Sequence, residues 1–369
     1  MKILVFYLQL NKDGGTEKVI INYYKNIRCE SVVFSFLVQK KGGLDDDIIA
    51  NGDKVYVIEK NALYKKNLQK FFLEHKNEYD IIHAHMNNDI GLVFKCAKKY
   101  GNINHRISHS HNSRSDLPKI SKLYKVIRGW SMEKYSTNFW GCSSAANEWF
   151  FPRNHMKAVV VNNSIEVNKF APSLKAREEQ RQKFNISPDE FLICNIGRLV
   201  EQKNQLFLID IMKKFIDEGG RAKLIIVGEG HLRNDLVQKI SELKLEKNVF
   251  LLGNRFDIPD LLSASDIMVS PSVYEGLSIV NIEGQCSGLP CIVSKYIPKD
   301  VDLGINLVTV IESEQSEIWA HVIKEKLLSS DRKLVFSDEE KDKLKKYDIY
   351  ETNKRVLSMY LEICDGYVW

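Results

Sequence analysis

Apolar and polar positions alternate along this chain in a way that predicts short buried strands separated by amphipathic helices. Apolar runs of about four to eight residues bounded by Gly, Pro, Asn or Asp are typical of strands in a parallel sheet, and helical patterns separate them. This alternation predicts an α/β fold with two Rossmann-like halves. The predicted strands are residues 2–10, 32–38, 55–58, 81–84, 104–108 and 159–162 in the first half, and 191–196, 223–228, 249–252, 267–269 and 291–293 in the second.

Length, composition and cysteine usage limit the kinds of protein this chain can be. A chain of 369 residues is too long for one ordinary core, and 44% hydrophobic with 27% charged residues is typical of a soluble globular protein. Its seven scattered cysteines lack a C-x-x-C pair, which favours reduced thiols in the cytoplasm over disulfides or a zinc site. No apolar run approaches the roughly 20 residues that cross a bilayer, so we expect any membrane association to be peripheral.

The two predicted domains differ in charge. We assign residues 1–170 to the first domain, residues 171–349 to the second, and residues 350–369 to a C-terminal helix, with a polar linker near residue 171. Lys and Arg outnumber Asp and Glu by 26 to 16 in residues 1–170, and they are outnumbered by 32 to 27 in the remainder. A basic half favours an anionic partner such as a membrane surface or a phosphorylated lipid. Nucleic acid is disfavoured because no helix-turn-helix, zinc or aromatic-basic motif is present.

The stretch 270–294 combines the groups that a nucleotide sugar needs. Glu275 is predicted in a loop after a buried strand, and Ser278 is predicted to cap a helix that carries Glu283 in its second turn and stops at Gly288. Amides at a helix start suit a phosphate, and carboxylates accept hydrogen bonds from sugar hydroxyls. These groups would lie at the carboxyl end of the sheet, where open α/β sheets bind ligands. The alternative is two unrelated surface glutamates.

Loops after the first strand of each half carry further candidates. Gly14-Gly15 would let a ligand approach the backbone at a helix start, although an ordinary turn also explains it. Arg198 and Lys203 could neutralise a diphosphate, and a solvated basic loop is the alternative. The fingerprint G-x-G-x-x-G is absent after the first strand, which disfavours a nicotinamide-dependent enzyme. The glycine turn 228–233 after a strand is a weak signal by itself, because glycines at a strand-to-helix junction are common packing devices.

Histidines and a basic helix are the remaining features of the first half. His83 and His85 are predicted after one strand, and His109 and His111 after another, but no Cys or carboxylate accompanies them at metal-ligand spacing. Residues 117–135 have the pattern of an amphipathic basic helix. Packing on the sheet is one interpretation of this helix, and docking on anionic lipid is the other.

Four motifs together resemble a known enzyme family. The segment E-G-L-S-I-V-N-I-E after S-P-S-x-Y is similar to the paired-glutamate signature of the family-4 retaining glycosyltransferases. G-R-L-x-x-x-K, the amino-terminal G-G turn and S-H-x-H-N also occur in family order. The resemblance covers nearly the whole chain and implies the GT-B architecture. In that architecture two facing Rossmann-like domains enclose an interdomain cleft, and a C-terminal helix crosses back to the first domain.

The resemblance also implies roles for single residues in binding the donor. Glu275 would contact the donor sugar and Glu283 the nucleotide ribose. Arg198 and Lys203 would hold the diphosphate and stabilise it as it departs. Arg255 would lie in the loop under the base.

A histidine beside the donor sugar is also implied. The place of His111 at the strand end favours it over His109, and it would donate a hydrogen bond or stabilise charge near the reacting centre. The expected catalytic residues are His111, Arg198, Lys203 and Glu275, and the expected donor-binding residues are Gly14, Gly15, Arg198, Lys203, Arg255, Glu275, Gly276, Leu277, Ser278 and Glu283.

The implied reaction is transfer of a hexose or N-acetylhexosamine, with retention, from a UDP-sugar to a lipid-linked saccharide in capsule, O-antigen or exopolysaccharide assembly. We expect no cofactor and no metal, and a place in the cytoplasm or on the inner membrane face. Asp45-Asp46-Asp47 has the D-x-D spacing of metal-dependent glycosyltransferases, but acids at a helix start explain it better. A UDP-sugar 2-epimerase of the same architecture and a non-enzymatic sugar-binding protein are the alternatives.

Overall fold

The computed structural model describes residues 1–11, 15–85, 89–111, 130–329 and 332–365. Two compact units divide the chain: Met1–Ser164 together with Ile349–Trp369, and Ile165–Asp348. Each unit is built on one parallel sheet whose strands alternate with helices along the chain. The predicted α/β fold with two Rossmann-like halves is confirmed.

The sheet of the first unit has seven strands in the order β3-β2-β1-β4-β5-β6-β7. The chain moves outward from β1 to β3 and then crosses to the other side of β1, so the strand order reverses between β1 and β4. Ligands bind open α/β sheets at such a reversal, beyond the carboxyl ends of the strands. The strands are β1 (Lys2–Tyr7), β2 (Val33–Val38), β3 (Lys54–Val57), β4 (Ile81–His85), β5 (His105–Ser110), β6 (Asn138–Gly141) and β7 (Val159–Val160).

Both faces of this sheet are covered because successive residues of β1 point to opposite sides. Ile3 and Val5 belong to one apolar cluster, and Leu4 and Phe6 belong to another. The C-terminal helix packs against the first helix of the unit on the Ile3 side, which confirms the predicted return of the chain to the first domain. The helices are α1 (Gly15–Ile27), α2 (Asp45–Ala50), α3 (Tyr64–Glu74), α4 (Ile90–Cys96), α5 (Ser144–Phe150) and α13 (Ile349–Asp365), with a π-helical turn at Ala97–Gly101 and a 3-10 turn at His155–Lys157.

The sheet of the second unit has six strands in the order β10-β9-β8-β11-β12-β13, so its reversal lies between β8 and β11. Buried residues of β8, β9 and β11 form one core with the helices that cover them, including Leu208, Met212 and Trp319. The strands are β8 (Phe191–Ile196), β9 (Ala222–Val227), β10 (Val249–Gly253), β11 (Ile267–Ser270), β12 (Cys291–Ser294) and β13 (Val308–Ile311). The helices are α6 (Leu174–Lys183), α7 (Gln205–Asp217), α8 (Arg233–Glu242), α9 (Ile258–Ala264), α10 (Ile279–Cys286), α11 (Ser316–Ser329) and α12 (Asp338–Lys345), with 3-10 turns at Val167–Phe170, Glu201–Lys203 and Lys299–Val301.

Two strands were not predicted from the sequence. β6 reads N-F-W-G, where an Asn and a Gly weaken the apolar signal, and β13 is a short edge strand with an exposed Val310. Both segments form strands because they pair with a neighbouring strand, since β-propensity depends on context.

The first unit ends before the predicted boundary at residue 170. The N–H of Ile165 donates to the carbonyl of Tyr347, and Val167–Phe170 packs against α10, so this segment belongs with the second unit. The predicted polar linker near residue 171 leads into α6, whose Arg177 forms an ion pair with Asp266.

The predicted basic helix at residues 117–135 lies largely outside the described residues, and its described part, residues 130–135, is helical. The described part of the chain contains no helix with both the length and the apolar character needed to cross a membrane.

Candidate active site

The loops that follow β8 and β11 meet at the strand reversal of the second unit. Lys203 Nζ donates to Oε1 of Glu275, and Ser272 Oγ donates to the same oxygen at 3.0 Å. Only 17% of the Lys203 side chain and 8% of the Glu275 side chain is exposed. A buried charge is costly unless it is paired, so each residue stabilises the other in this position. Two predicted site residues are therefore in direct contact.

Hydrogen bonds between the same two loops fix the pair. The N–H of Val273 donates to the carbonyl of Gln202 at 2.9 Å, and the Gln202 side chain donates to the carbonyl of Tyr274 at 3.0 Å. Asn204 donates from Nδ2 to the carbonyl of Pro271 at 3.3 Å. The loop after β11 is thus tied to the loop after β8 along the residues that directly precede Glu275.

Glycines shape the loop that carries Arg198. A Cβ atom on Gly228 would lie 2.1 Å from the carbonyl oxygen of Gly197, and one on Gly230 would lie 2.2 Å from that of Leu199. Gly228 also has a φ of 137°, which a side chain would disfavour. This close approach supports the packing interpretation of the glycine turn 228–230. It allows the backbone after β9 to pack against the backbone around Arg198.

The start of α10 presents backbone donors next to Glu275. The N–H groups of Leu277 and Ser278 find no acceptor in the part of the chain that the structure describes, and both residues are buried. Ser278 occupies the N-cap position, but its predicted capping bond is not formed, because its Oγ accepts from the side-chain amide of Asn281 at 2.8 Å. The helix ends at Cys286, two residues before the predicted stop. These donors, together with the positive helix end, favour an anion.

The other predicted residues of the second unit lie around this junction without joining it in one cluster. Arg198 is exposed and makes no ion pair with any described residue. Glu283 lies partly buried in the second turn of α10, as predicted. Arg255 follows β10 and forms a two-point hydrogen bond with Asp257 at 2.6 and 2.8 Å. β10 is two strands away from β8, so Arg255 lies on the same sheet edge but farther from Lys203.

Four histidines of the first unit form a buried array on β4 and at the end of β5. They lie within or at the end of the strands rather than in loops after them, which corrects the sequence interpretation. His83 Nε2 and His109 Nδ1 are 3.1 Å apart, and His85 Nδ1 and His111 Nε2 are 2.9 Å apart. The hydroxyl oxygen of Tyr360 in α13 lies 2.6 Å from Nδ1 of His83.

Burial keeps these imidazoles neutral. It lowers the pKa of His83, His85 and His109 well below the ordinary value, and neighbouring imidazoles act in the same direction. Burial also lowers the pKa of His111 to about 4, an effect that the side chain of Asn163 partly offsets. A neutral imidazole donates from one nitrogen and accepts at the other, so in each N···N hydrogen bond of the array one ring must donate and the other accept.

The remaining predictions in the first unit have mixed outcomes. Gly14 lies outside the described residues, and Gly15 is the first residue of α1. Asp45 lies in the first turn of α2 and accepts a hydrogen bond from the N–H of Gly42 at 2.9 Å, so the helix-start interpretation is confirmed. Desolvation raises the pKa of its carboxyl.

Sequence reasoning missed the groups that support the predicted residues. Nothing in the pattern indicated that Ser272 bonds Glu275, or that Tyr360 reaches His83 over 277 positions of sequence. The histidine array did have a sequence signal, since two H-x-H segments lie in strands that parallel pairing can place side by side.

Two parallel sheets with alternating helices, each with one reversal of strand order, have the fold of the GT-B glycosyltransferases. Residues 176–350 match the family model described as "Glycosyl transferases group 1". Residues 176–350, most of them in the second unit, thus carry a glycosyltransferase group 1 domain.

Relatives and solved structures agree with this assignment. The chain is 28% identical over 323 residues to the putative glycosyltransferase EpsF of Bacillus subtilis, with 84% of each chain covered. It is 27% identical over 309 residues to the UDP-Gal:alpha-D-GlcNAc-diphosphoundecaprenol alpha-1,3-galactosyltransferase of Escherichia coli, with 79% of each covered. Among solved structures, Anabaena Alr3699/HepE in complex with UDP is similar with a TM-score of 0.81 and 20% identity, over 98% of this chain and 100% of that one.

Proposed function

We propose that this protein is a retaining, family-4 glycosyltransferase that moves a hexose or N-acetylhexosamine from a UDP-sugar to a lipid-linked saccharide. The observation that carries this proposal is the Lys203–Glu275 pair beside the start of α10, at the strand reversal of the second unit. A cation, a carboxylate and helix-start amides at one loop junction are the groups that a sugar diphosphate requires.

In the proposed site, Arg198, Lys203 and the amides of Leu277 and Ser278 bind the diphosphate. Arg198 is exposed and so available to a ligand, while Lys203 approaches from the buried side. Charge on the leaving diphosphate grows in the transition state, so positive groups that are already in place lower the barrier. Glu275 accepts hydrogen bonds from sugar hydroxyls. Glu283 binds the ribose, Arg255 the base, and His111 donates to the transferring sugar.

The acceptor and the membrane belong to the same proposal. The E. coli relative is named for a diphosphoundecaprenol substrate, which supports a lipid-linked acceptor for this protein and a role in capsule, O-antigen or exopolysaccharide assembly. The first unit carries 27 Lys and Arg against 18 Asp and Glu, and such a surplus favours an anionic membrane surface. An exposed Trp130, stacked under Arg153 at 3.9 Å, adds an aromatic side chain of the kind that lies at membrane interfaces.

A nucleotide-sugar screen followed by a turnover assay tests the proposal. A UDP-sugar present at about 100 times its Kd should stabilise the protein by about 2.7 kcal/mol, whereas free sugars should not. UDP should then be released from that donor only when a polyprenyl-diphosphate-linked saccharide is added. Conversion of the UDP-sugar to its C2 epimer without an acceptor would instead favour the 2-epimerase. Binding with neither UDP release nor epimerisation would favour a sugar-binding protein.

A further inference from the structure

Three buried polar side chains connect the start of α10 to the end of β11. Ser270, the last residue of β11, donates from Oγ to Oδ1 of Asn281 at 3.0 Å, and Nδ2 of Asn281 donates to Oγ of Ser278 at 2.8 Å. Ser270 is 4% exposed, Ser278 is 2% exposed and Asn281 is fully buried. This chain of hydrogen bonds therefore links a strand at the reversal to the N-cap residue of the helix.

Asn281 is an unusual residue for its place in the fold. It is fully buried in the first turn of α10, where Asn is disfavoured because its amide competes with the backbone and must leave water. Its neighbours Val280 and Ile282 are aliphatic. Another aliphatic residue would fill position 281 without burying a polar group. The reason for an amide here must therefore lie in its two hydrogen-bond partners, Ser270 and Ser278.

The orientation of the Asn281 amide decides which serine keeps an unmatched hydroxyl hydrogen. With Oδ1 facing Ser270, the Ser270 hydroxyl has an acceptor, and the Ser278 hydroxyl has none among the described residues. The opposite orientation would leave the unmatched hydrogen on Ser270, where a buried donor without an acceptor is costly. At Ser278 it joins the N–H groups of Leu277 and Ser278, which also find no acceptor in the described part of the chain. Three hydrogen-bond donors are thus available together at the start of α10.

We propose that Asn281 is a positioning residue for Ser278: its Nδ2 donates to Oγ of Ser278, so that the Ser278 hydroxyl is held as a third hydrogen-bond donor for a diphosphate. A hydroxyl has a single hydrogen to donate, and an amide donor facing its oxygen keeps that hydrogen from turning towards the protein. Hydrogen bonds to a charged oxygen are stronger than those between neutral groups. The diphosphate as ligand rests on the proposed function, whereas the chain of hydrogen bonds is a property of the protein alone.

A purely structural role is the competing explanation. The same hydrogen bonds tie α10 to β11, and they would do so whether or not a ligand binds. A structural role predicts that variants of these residues lose stability but bind the ligand with unchanged affinity when folded. A positioning role predicts a loss of affinity that depends on the presence of the Ser278 hydroxyl.

A double-variant cycle separates the two roles, with UDP and inorganic pyrophosphate as probes in titration calorimetry. Ser278→Ala should weaken the binding of each probe about tenfold, because one hydrogen bond to a charged oxygen is lost. Asn281→Leu should weaken it to a similar extent. The double variant should bind within about twofold of either single variant, because Asn281 acts only through Ser278. Losses that multiply in the double variant would overturn the proposal.

Ser270→Ala tests the orientation of the amide from a residue that is not proposed to bind the ligand. Without the Ser270 hydroxyl, Oδ1 of Asn281 loses its donor, so the amide can turn and accept from Ser278 instead. Affinity for UDP should then fall about threefold. The same change in a Ser278→Ala background should have no further effect. Unchanged affinity in Ser270→Ala would contradict the orientation and overturn the proposal.

Gln285→Leu is the matched control. Gln285 is the other fully buried amide of α10, and its Nε2 donates to the backbone carbonyls of Asn281 and Val301. The variant should lower stability in urea unfolding but keep the affinity for UDP within about twofold of wild type. A loss of affinity equal to that of Asn281→Leu would favour the structural role. Should Asn281→Leu fail to fold, the two serine variants still test the proposal.

The outcomes separate this inference from the proposed function. The expected pattern of affinities, in a protein that turns over no UDP-sugar, would support the role of Asn281 and count against glycosyl transfer. Turnover of a UDP-sugar, with affinities unchanged in the Ser270, Ser278 and Asn281 variants, would support glycosyl transfer and overturn the positioning role. A wild-type protein that binds neither probe would overturn both.

Discussion

Lys203 and Glu275 stand 72 positions apart in the chain, and the Nζ of one donates to the Oε1 of the other. The pair joins the loops on the two sides of the strand reversal, so it links them structurally. It also places one cation and one carboxylate side by side. A ligand with a diphosphate and hydroxyls could bind both charges by replacing this internal contact. The pair therefore makes separate predictions for stability and for turnover.

Replacing Glu275 by Gln should remove turnover by about 100-fold or more, because the amide is a weaker acceptor for sugar hydroxyls and leaves Lys203 unpaired. It should also lower the free energy of unfolding by about 1–3 kcal/mol, since a mostly buried cation loses its partner. UDP release and urea unfolding measure the two effects.

The control for this prediction is the double variant Lys203→Met with Glu275→Gln. It removes both buried charges, so it should recover stability without recovering turnover. Wild-type turnover in the Glu275→Gln protein would refute the role of Glu275. Recovery of turnover along with stability would mean that the pair acts only as a structural link.

Replacing Arg198 should lower turnover without lowering stability. It is exposed and makes no ion pair with the described residues, so Arg198→Ala should change the free energy of unfolding by less than about 0.5 kcal/mol. Turnover should fall by about 100-fold, since a cation on the leaving diphosphate acts mainly in the transition state. Arg221→Ala is the matched control, because Arg221 precedes β9 at the amino edge of the sheet and should not affect turnover. Equal losses of turnover in the Arg198→Ala and Arg221→Ala variants would contradict the proposed role of Arg198 in binding the diphosphate.

The fold was predictable because buried strands appear in the sequence as short apolar runs. The prediction for β8 agrees with the structure at both ends, since F-L-I-C-N-I is bounded by polar loops. The short strand β6 and the edge strand β13 were missed, because their formation depends on a neighbour that sequence periodicity does not reveal. The domain boundary was misplaced for the same reason, since the partner of Ile165 is Tyr347, far along the chain.

The site was predictable only in part. Motif spacing indicated that Lys203 and Glu275 belong to one site, but not that they pair with each other. Ser278 lies at the predicted cap position, yet its hydroxyl accepts from Asn281, because a side-chain amide in the next turn competes with the backbone. The alternating histidines raised the possibility of a metal site. In the structure, pairing of the two strands places them in hydrogen-bonded pairs, which the sequence pattern did not predict.

The buried histidines predict loss of stability in mild acid. The folded-state pKa of His111 is about 4, below the ordinary value near 6.5 in the unfolded chain, so the unfolded state binds more protons between these values. Stability is full above about pH 6.5 and falls as the pH decreases towards 4. Between pH 7 and 5 the wild-type protein should lose about 2 kcal/mol more than His111→Asn. Equal losses, measured by urea unfolding, would contradict a depressed pKa for His111.

Turnover should not require a divalent cation. Arg198, Lys203 and the amides at the start of α10 already supply positive potential for the diphosphate, which is the usual task of Mg²⁺ or Mn²⁺. Activity should survive EDTA treatment within about twofold, with a known Mn²⁺-dependent glycosyltransferase as the positive control for chelation. If Mn²⁺ were needed to restore turnover, Asp45 to Asp47 would have to be reconsidered as ligands. If Zn²⁺ were needed, the histidine array would have to be reconsidered as a metal site.

The last prediction concerns the stereochemistry of the product. An inverting enzyme needs a base on the face of the sugar opposite the leaving group, and a double-displacement enzyme needs a carboxylate that attacks the anomeric carbon. In the proposed site neither role is filled, because Glu275 accepts from donor hydroxyls, Glu283 binds the ribose, and the neutral His111 is a hydrogen-bond donor.

The group best suited to accept the proton of the incoming hydroxyl is then the leaving phosphate oxygen itself, which Arg198 and Lys203 hold on the same face as the attack. Departure and attack on one face retain configuration without a stable glycosyl-enzyme intermediate. An α-configured UDP-sugar should therefore give an α-linked product. The anomeric coupling constant in an NMR spectrum of the first-formed product decides the matter. A β-linkage would contradict both the same-face mechanism and the assignment to a retaining family.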